Sequence, residues 1–339
     1  MEYILVQNGA KVKFLTVINN LSSKPFSLYF DPILWYACAM NGCRLCPVAC
    51  GADRKLSVGA CGGDDKIRIG YAGAHFGEEP PISLGKGSGA IFFSGCPLRC
   101  VFCQNAPISV RGGGKVYSES EFEALLLDLN EKCENINLVT AGHQLDLILP
   151  VLERVKPRLT VPVVYNSGGY ETVQAIARLS GIADVFLPDY KYFSSSLAKR
   201  YSARADYPSV AVAAIDKMVE LQPKVEMIKT PHGDKIVRGV IVRHLVLPGC
   251  RHDSEKVIDD IARRWKGKVL ISLMSQYTPE FNRSDYHELD RRVTTFEYES
   301  VLRLAAELGL DGYMQSRSSA TSLLTPSFLF EKRKEAKKS

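Results

Sequence analysis

The chain has 339 residues, 46% of them hydrophobic and 24% charged, with a formal charge of +6 at neutral pH. That is the balance of a globular protein with a full core, and it excludes a disordered, collagen-like or disulfide-scaffold chain. No apolar run approaches the ~18 residues of a membrane span, and no basic or aromatic stripe marks a nucleic-acid surface.

In chain order, residues 1–39 share no pattern with the rest of the chain. Their first part alternates apolar residues with lysines and lacks a signal peptide's apolar run, so a cytoplasmic protein without a membrane partner is expected. Met40 stands directly before Asn41-Gly42-Cys43 and offers a second start, which makes residues 1–39 a dispensable extension in this reading. Residues 40–89 are rich in glycine and cysteine with little apolar periodicity. The chain holds ten cysteines, and in a reducing compartment clustered cysteines read as metal ligands or catalytic groups before disulfides. Cys43-x2-Cys46-x3-Cys50, with Cys61 beyond, is a four-thiol set suited to zinc or an auxiliary iron–sulfur cluster. A small metal-held module is expected here. Cys38 falls outside that spacing. His75, Glu78 and Glu79 come next, and read as a solvated acidic loop in preference to metal ligands or a general base.

From residue 90 onward, short β-branched or aromatic runs recur at 90–93, 136–139, 161–165, 185–187, 240–247 and 269–274, the marks of buried strands. Between most of them lie helical patterns. Ser118 with Glu121 three positions on is a capping box, and further helices are expected at 172–179, 208–221, 254–265 and 295–308. Strand alternating with helix implies a parallel sheet, because parallel neighbours need a crossover. Six strands are too few for the usual eight-stranded closed barrel, so the predicted fold is an α/β partial (β/α)6 barrel, with a doubly wound sheet as the alternative. Segments at 225–229 and 236–240 flank His232-Gly233-Asp234 and predict an inserted hairpin. Cys133 and Cys250 stand alone and read as small buried hydrophobes. Residues 321–339 form a basic tail, read as solvated.

The strongest chemical signal is Cys96-Pro97-Leu98-Arg99-Cys100-Val101-Phe102-Cys103, a C-x3-C-x2-C spacing. It follows the first predicted strand through Ser94-Gly95, which puts three thiols at a strand's C-terminal end, the edge where (β/α) barrels keep their active sites. Thiolates bind iron–sulfur clusters or zinc. Three ligands on a four-iron cluster leave one iron open, as three ligands on catalytic zinc leave a position for substrate. The alternative is a structural zinc completed by a remote fourth ligand.

At these residues the chain resembles the radical S-adenosylmethionine (SAM) superfamily. Phe93-Ser94-Gly95-Cys96 and Cys103-Gln104-Asn105 look like the loop of pyruvate formate-lyase activating enzymes. Further stretches resemble the uncharacterised iron–sulfur homologues of that activase. They include Cys43-Arg44-Leu45-Cys46-Pro47, His75-Phe76-Gly77-Glu78-Glu79-Pro80, Pro188-Asp189-Tyr190-Lys191-Tyr192 and Val242-Arg243-His244-Leu245, within a matching region from about residue 43 to 313. The resemblance implies a radical SAM core over residues 90–320 and a 4Fe–4S cluster on Cys96, Cys100 and Cys103. It further implies reductive cleavage of SAM to a 5′-deoxyadenosyl radical. The polar residues at the strand ends become the expected SAM shell: Thr140, His143, Asn166, Ser167, Asp189, Lys191, Arg243 and His244. Adjacent strand residues face opposite sides, so one of Arg243 and His244 is expected to be structural, and Asp189 with Lys191 also reads as a surface ion pair. Where family members commonly carry Thr-Pro-Thr-His, this chain has Thr140-Ala141-Gly142-His143. The implied partners are a glycyl radical enzyme as protein substrate and a one-electron donor such as flavodoxin or ferredoxin. Two other readings stand beside this one: a radical enzyme acting on a small molecule, and a zinc-held binding module without catalysis.

Overall fold

The computed structural model describes residues 3–6, 42–110 and 112–315. Cys38, the rest of the N-terminal extension and the basic tail lie outside the described residues. Strand β1 is Tyr3–Val6, and after irregular cysteine-bearing turns come β2 (Ile67–His75) and β3 (Ser88–Phe93). The cysteine loop and a single helical turn, α1 (Ala106–Ser109), lead to β4 (Lys115–Tyr117). β2 lies antiparallel between β3 and β4, so a strand on the cysteine-rich side of the boundary expected at residue 90 belongs to the main sheet.

Beyond β4 the alternation is regular. Helix α2 (Glu119–Lys132) leads to β5 (Ile136–Val139), α3 (Leu145–Val155) to β6 (Val163–Ser167), and α4 (Val173–Ala177) to β7 (Val185–Pro188). Two helices, α5 (Ser195–Ser202) and α6 (Tyr207–Leu221), precede the hairpin of β8 (Glu226–Thr230) and β9 (Gly233–Leu245). Helix α7 (Arg251–Trp265), β10 (Leu270–Met274), α8 (Thr295–Glu307) and β11 (Gly312–Gln315) complete the described chain. The sheet runs β1-β11-β10-β9-β7-β6-β5-β3-β2-β4, with β8 on β9, and is parallel from β3 through β11. Among the described residues its ends are β1 and β4, and the barrel is open between them. All six expected strands are present and β11 adds a seventh to the parallel run. Gly312 is required there, because a Cβ would lie 2.0 Å from the Ile271 carbonyl oxygen. β1 pairs antiparallel with β11, Tyr3 opposite Gln315, so four residues of the extension lie on that edge.

Local sequence explains most of these elements. The Ser118–Glu121 capping box is formed, and Thr294 with Glu297 makes a second one at α8. Helix α3 had no predicted counterpart. It carries Pro150 and lacks a side-chain cap, yet Leu145, Ile148, Leu149, Leu152 and Val155 form one buried stripe. That stripe offsets a proline that costs an exposed helix about 3 kcal/mol.

The strands are buried on both faces. Outward residues such as Ile91, Leu138, Tyr165 and Val242 share one core with Phe122, Leu149, Ile215 and Ile258 of the helices. Inward residues split by height. Val164, Val185 and Ile241 close the bottom of the barrel with Ile82 and with Ile236 of the hairpin. Above them the interior turns polar. Among the described residues no helix is long and apolar enough to cross a membrane.

Candidate active site at the strand C-termini

Each parallel strand contributes to one cavity at or just past its C-terminal end: Phe92, Val139, Asn166, Asp189, Arg243, Met274 and Gln315. Its volume is about 200 Å³, and it opens to solvent at its mouth. Cys100 and Cys103 line it too.

The thiol loop leaves β3 through Gly95 at φ +91°, where a Cβ would stand 2.7 Å from the Cys61 carbonyl and 2.9 Å from His143 Nε2. Arg283 donates to the carbonyls of Cys100 (2.6 Å) and Cys103 (3.0 Å) and so pins the loop's turn. Cys100 Sγ lies 3.0 Å from Ser202 Oγ, and Cys103 Sγ 3.5 Å from Ser109 Oγ. Burial, then the neighbouring thiols Cys100 and Cys103, hold Cys96 well above the usual thiol pKa. Burial raises Cys100 too, against the pull of Lys191. A metal centre reverses that balance, since a coordinating thiol is deprotonated outright. Among the described residues no three His, Cys, Asp or Glu side chains are set to hold a single metal ion. That is the demand of one ion, whereas an iron–sulfur cluster offers each thiolate its own iron. Three thiols on one loop, two of them facing the cavity, with Lys191 beside Cys100, fit such a cluster.

Across the cavity floor lies a buried ionic group. Arg243 donates through Nε to Asp189 Oδ1 (2.8 Å), through Nη2 to Asn166 Oδ1 (2.6 Å) and through Nη1 to Glu78 Oε2 (3.4 Å). Lys191 Nζ donates to Asp189 Oδ2 at 2.5 Å, and Asn137 Nδ2 to Glu78 Oε1 at 3.1 Å. Asp189 and Lys191 thus pair with each other, but lining the cavity and not on the surface. Burial pushes the Asp189 carboxyl up, yet Arg243 and Lys191 outweigh it and its pKa falls below the usual value. Burial prevails at Glu78, whose pKa is raised despite Arg243, and at Glu79, pushed up to about 7. The reading of Glu78 and Glu79 as a solvated loop is therefore corrected. They are 8% and 2% exposed, because the loop after β2 folds under the barrel mouth. No local signal announced this; it depends on partners far along the chain.

The eight expected shell residues divide evenly. Asn166, Asp189, Lys191 and Arg243 line the cavity; Thr140, His143, Ser167 and His244 do not. Ser167 Oγ donates to Glu171 Oε1 (2.8 Å) and accepts from the Gly169 N–H (3.0 Å). His143 packs behind the thiol loop, its Nε2 2.7 Å from the Ser94 carbonyl oxygen. The expected alternation on β9 holds, with Arg243 facing in and His244 facing out, its Nδ1 2.7 Å from the Tyr190 carbonyl oxygen. Thr140 takes a left-handed φ of +59° and leads into Ala141-Gly142. A Cβ on Gly142 would lie 2.1 Å from Glu171 Oε2, so a threonine there would displace this buried acid.

Glu171 gives a pH-dependent prediction. Burial lifts its carboxyl to about 7, against an unfolded value of about 4.3. The folded state binds the extra proton between those values, so its contribution to stability falls as pH rises through that window. His143 and His244, both held neutral to about 4 by burial, slope the opposite way from about pH 4 to 6.5. Glu171→Gln is expected to gain on the parent by about 1–3 kcal/mol between pH 5 and pH 8. Urea melts at the two pH values check this; parallel profiles contradict it.

A parallel partial barrel that sends a C-x3-C-x2-C loop from its first parallel strand over a cavity shared by the ends of all the parallel strands is the arrangement that the resemblance to radical SAM enzymes implies. The chain is 31% identical over 249 residues to an uncharacterized protein of Methanocaldococcus jannaschii, a match covering 70% of this chain and 66% of that one. The chain thus spans just under two thirds of that relative's length. No family model matches. Among solved structures it is similar to a domain of pyruvate-formate lyase-activating enzyme from Bacteroides vulgatus (10% identity, 51% of this chain and 92% of that one, TM-score 0.38). It is also similar to Streptococcus suis SuiB bound to the precursor peptide SuiA (11%, 65% and 46%, TM-score 0.42).

Proposed function

We propose that this protein is a radical SAM enzyme with a 4Fe–4S cluster on Cys96, Cys100 and Cys103. The observation that carries the reading is that Cys100 and Cys103 share one cavity with the Asp189–Lys191–Arg243 group. Cys96, Cys100 and Cys103 would hold such a cluster, which would supply the single electron for reductive cleavage of SAM to methionine and a 5′-deoxyadenosyl radical. This chain's residues bind and orient. Arg243 and Lys191 match the methionyl carboxylate of SAM, Asp189 and Glu78 its ammonium group, and Asn166 holds the Arg243 fork in place. Phe92, Phe102 and Tyr277 line the rest and limit water around the reacting atoms. In this proposal the second half of the expected shell (Thr140, His143, Ser167 and His244) supports the first from behind.

The favoured substrate is a glycine in a partner protein, in the manner of glycyl radical enzyme activation. Among the described residues the barrel is open between β1 and β4, and an open mouth admits a loop more readily than it encloses a metabolite. The α-radical of glycine is stabilised by its flanking amides. The proposal includes a one-electron donor such as flavodoxin or ferredoxin, a cytoplasmic location, and the division into extension (1–39), cysteine-rich module (40–89), core (90–320) and tail (321–339).

The test is anaerobic reconstitution with iron, sulfide, SAM and a strong reductant. Formation of 5′-deoxyadenosine is expected, and its absence from brown, iron-loaded protein contradicts the reading. Partner proteins carrying α-deuterated glycine should pass label into 5′-deoxyadenosine. Label arriving only from an added metabolite overturns the activase reading and keeps the radical chemistry.

A further inference from the structure

Residues 42–66 contain neither helix nor strand, and their buried apolar side chains are Leu45, Cys46 and Cys61. Leu56 is 86% exposed. So small an apolar core does not hold a segment of this length in one shape. Yet its backbone is tightly turned. The Cys43 N–H donates to the Ala52 carbonyl and the Gly51 N–H to the Cys43 carbonyl, both at 3.0 Å, closing a turn with Cys43 and Cys50 at its two sides. Gly42 and Gly51, at φ +72° and +66°, make this closure possible, since a Cβ on Gly42 would stand 2.1 Å from the Gly51 oxygen. A second turn, Gly59 to Gly63, carries Cys61. A Cβ built on Gly59 would be 3.5 Å from both Cys50 Sγ and Cys61 Sγ. Two separate turns thus aim their thiols at one small volume.

We propose that Cys43, Cys46, Cys50 and Cys61 are a second, four-thiolate metal site, and that this site anchors the loop of Cys96. The shared chemistry is thiolate ligation, taken by zinc or by an iron–sulfur cluster. The four thiols are neighbours, Cys43 near Cys50 and Cys61 and Cys46 near Cys61 and Cys43, but as placed they are not set to hold a single ion. The anchoring rests on the contacts between the two thiol groups. The Cys96 N–H donates to the Cys61 carbonyl at 2.9 Å, and Arg99 donates back to the Ala60 carbonyl. Arg54 spans from the Asp64 carbonyl (2.5 Å) to that of His143 (2.6 Å), directly behind Gly95. Fixing Cys61 therefore fixes the first ligand of the other loop. This inference does not rest on the proposed reaction.

The experiment uses the full chain carrying Cys96→Ala, Cys100→Ala and Cys103→Ala, reconstituted anaerobically with iron and sulfide in one arm and with zinc alone in the other. About one equivalent of zinc, or one brown cluster with matching iron and sulfide, is expected per chain. A protein folded by circular dichroism that retains neither metal overturns the site. A second measurement needs no variant. Cys50 is exposed, so a free thiol there alkylates at once; in the loaded wild-type protein it should resist iodoacetamide until a chelator strips the metal. Prompt alkylation of the loaded protein also overturns the site. For the anchoring, amide exchange at residues 94–96 should quicken at least tenfold when the triple variant loses its metal, and unchanged exchange refutes that part.

Discussion

Replacing Cys96, Cys100 or Cys103 singly with alanine is expected to bring 5′-deoxyadenosine formation down to background. The loss should exceed the ~10–100-fold typical of removing a residue one shell behind a metal ligand. The reason is stoichiometric: three thiols share one loop, two of them, Cys100 and Cys103, line the cavity, and no other described cysteine does, so no neighbour can substitute. Stability should change little by comparison. The loop is held by backbone and arginine contacts, among them Arg283 on the carbonyls of Cys100 and Cys103 and Arg204 on that of Pro97. Cys133→Ala is the control, a lone buried thiol outside the cavity, and should leave product formation unchanged. Near-normal turnover by all three single variants would remove the loop from the chemistry.

Arg243→Met is the second large effect. Arg243 is the cation between Glu78 and Asp189, and its side chain is only 14% exposed. Breaking a buried pair from one side leaves uncompensated charge and costs about 3–5 kcal/mol. The loss should be largest at pH 8 and shrink toward pH 5. Without the guanidinium, the carboxyl pKa values of Glu78 and Glu79 rise further, so protonation at the lower pH removes the stranded charge. Lys191 still serves Asp189, which makes Glu78 the main orphan. Adding Glu78→Gln should therefore restore part of the stability. Denaturant melts of the single and double variants at both pH values measure this, and a single-variant loss below about 1 kcal/mol at pH 8 would mean the group behaves like a surface pair.

What the amino-acid sequence determined by itself is the part governed by short spacing. The period of strand and helix from residue 90 implied a parallel, curled sheet. The cysteine spacing after β3 placed three thiols at the C-terminal edge of the parallel sheet. The Ser118–Glu121 box and the hairpin about Gly233 were legible because caps and turns are interactions between near neighbours. So was the split of Arg243 from His244, since the two-residue repeat of a strand admits no other arrangement without a bulge. Short elements were less legible. β11 has four residues and opens on glycine, and the signal of α3 was obscured by Pro150.

The tertiary structure alone decided which polar residues meet. Thr140, Ser167 and Asn166 all stand at strand ends, but only Asn166 points into the cavity; Ser167 turns back to Glu171. Glu78 and Glu79 look in sequence like any exposed acidic loop. They are buried because Arg243, 165 positions from Glu78, supplies the compensating charge. The cost of removing a carboxylate from water depends on which partner the fold brings to it, and that partner lies far outside any window in which sequence periodicity can be read.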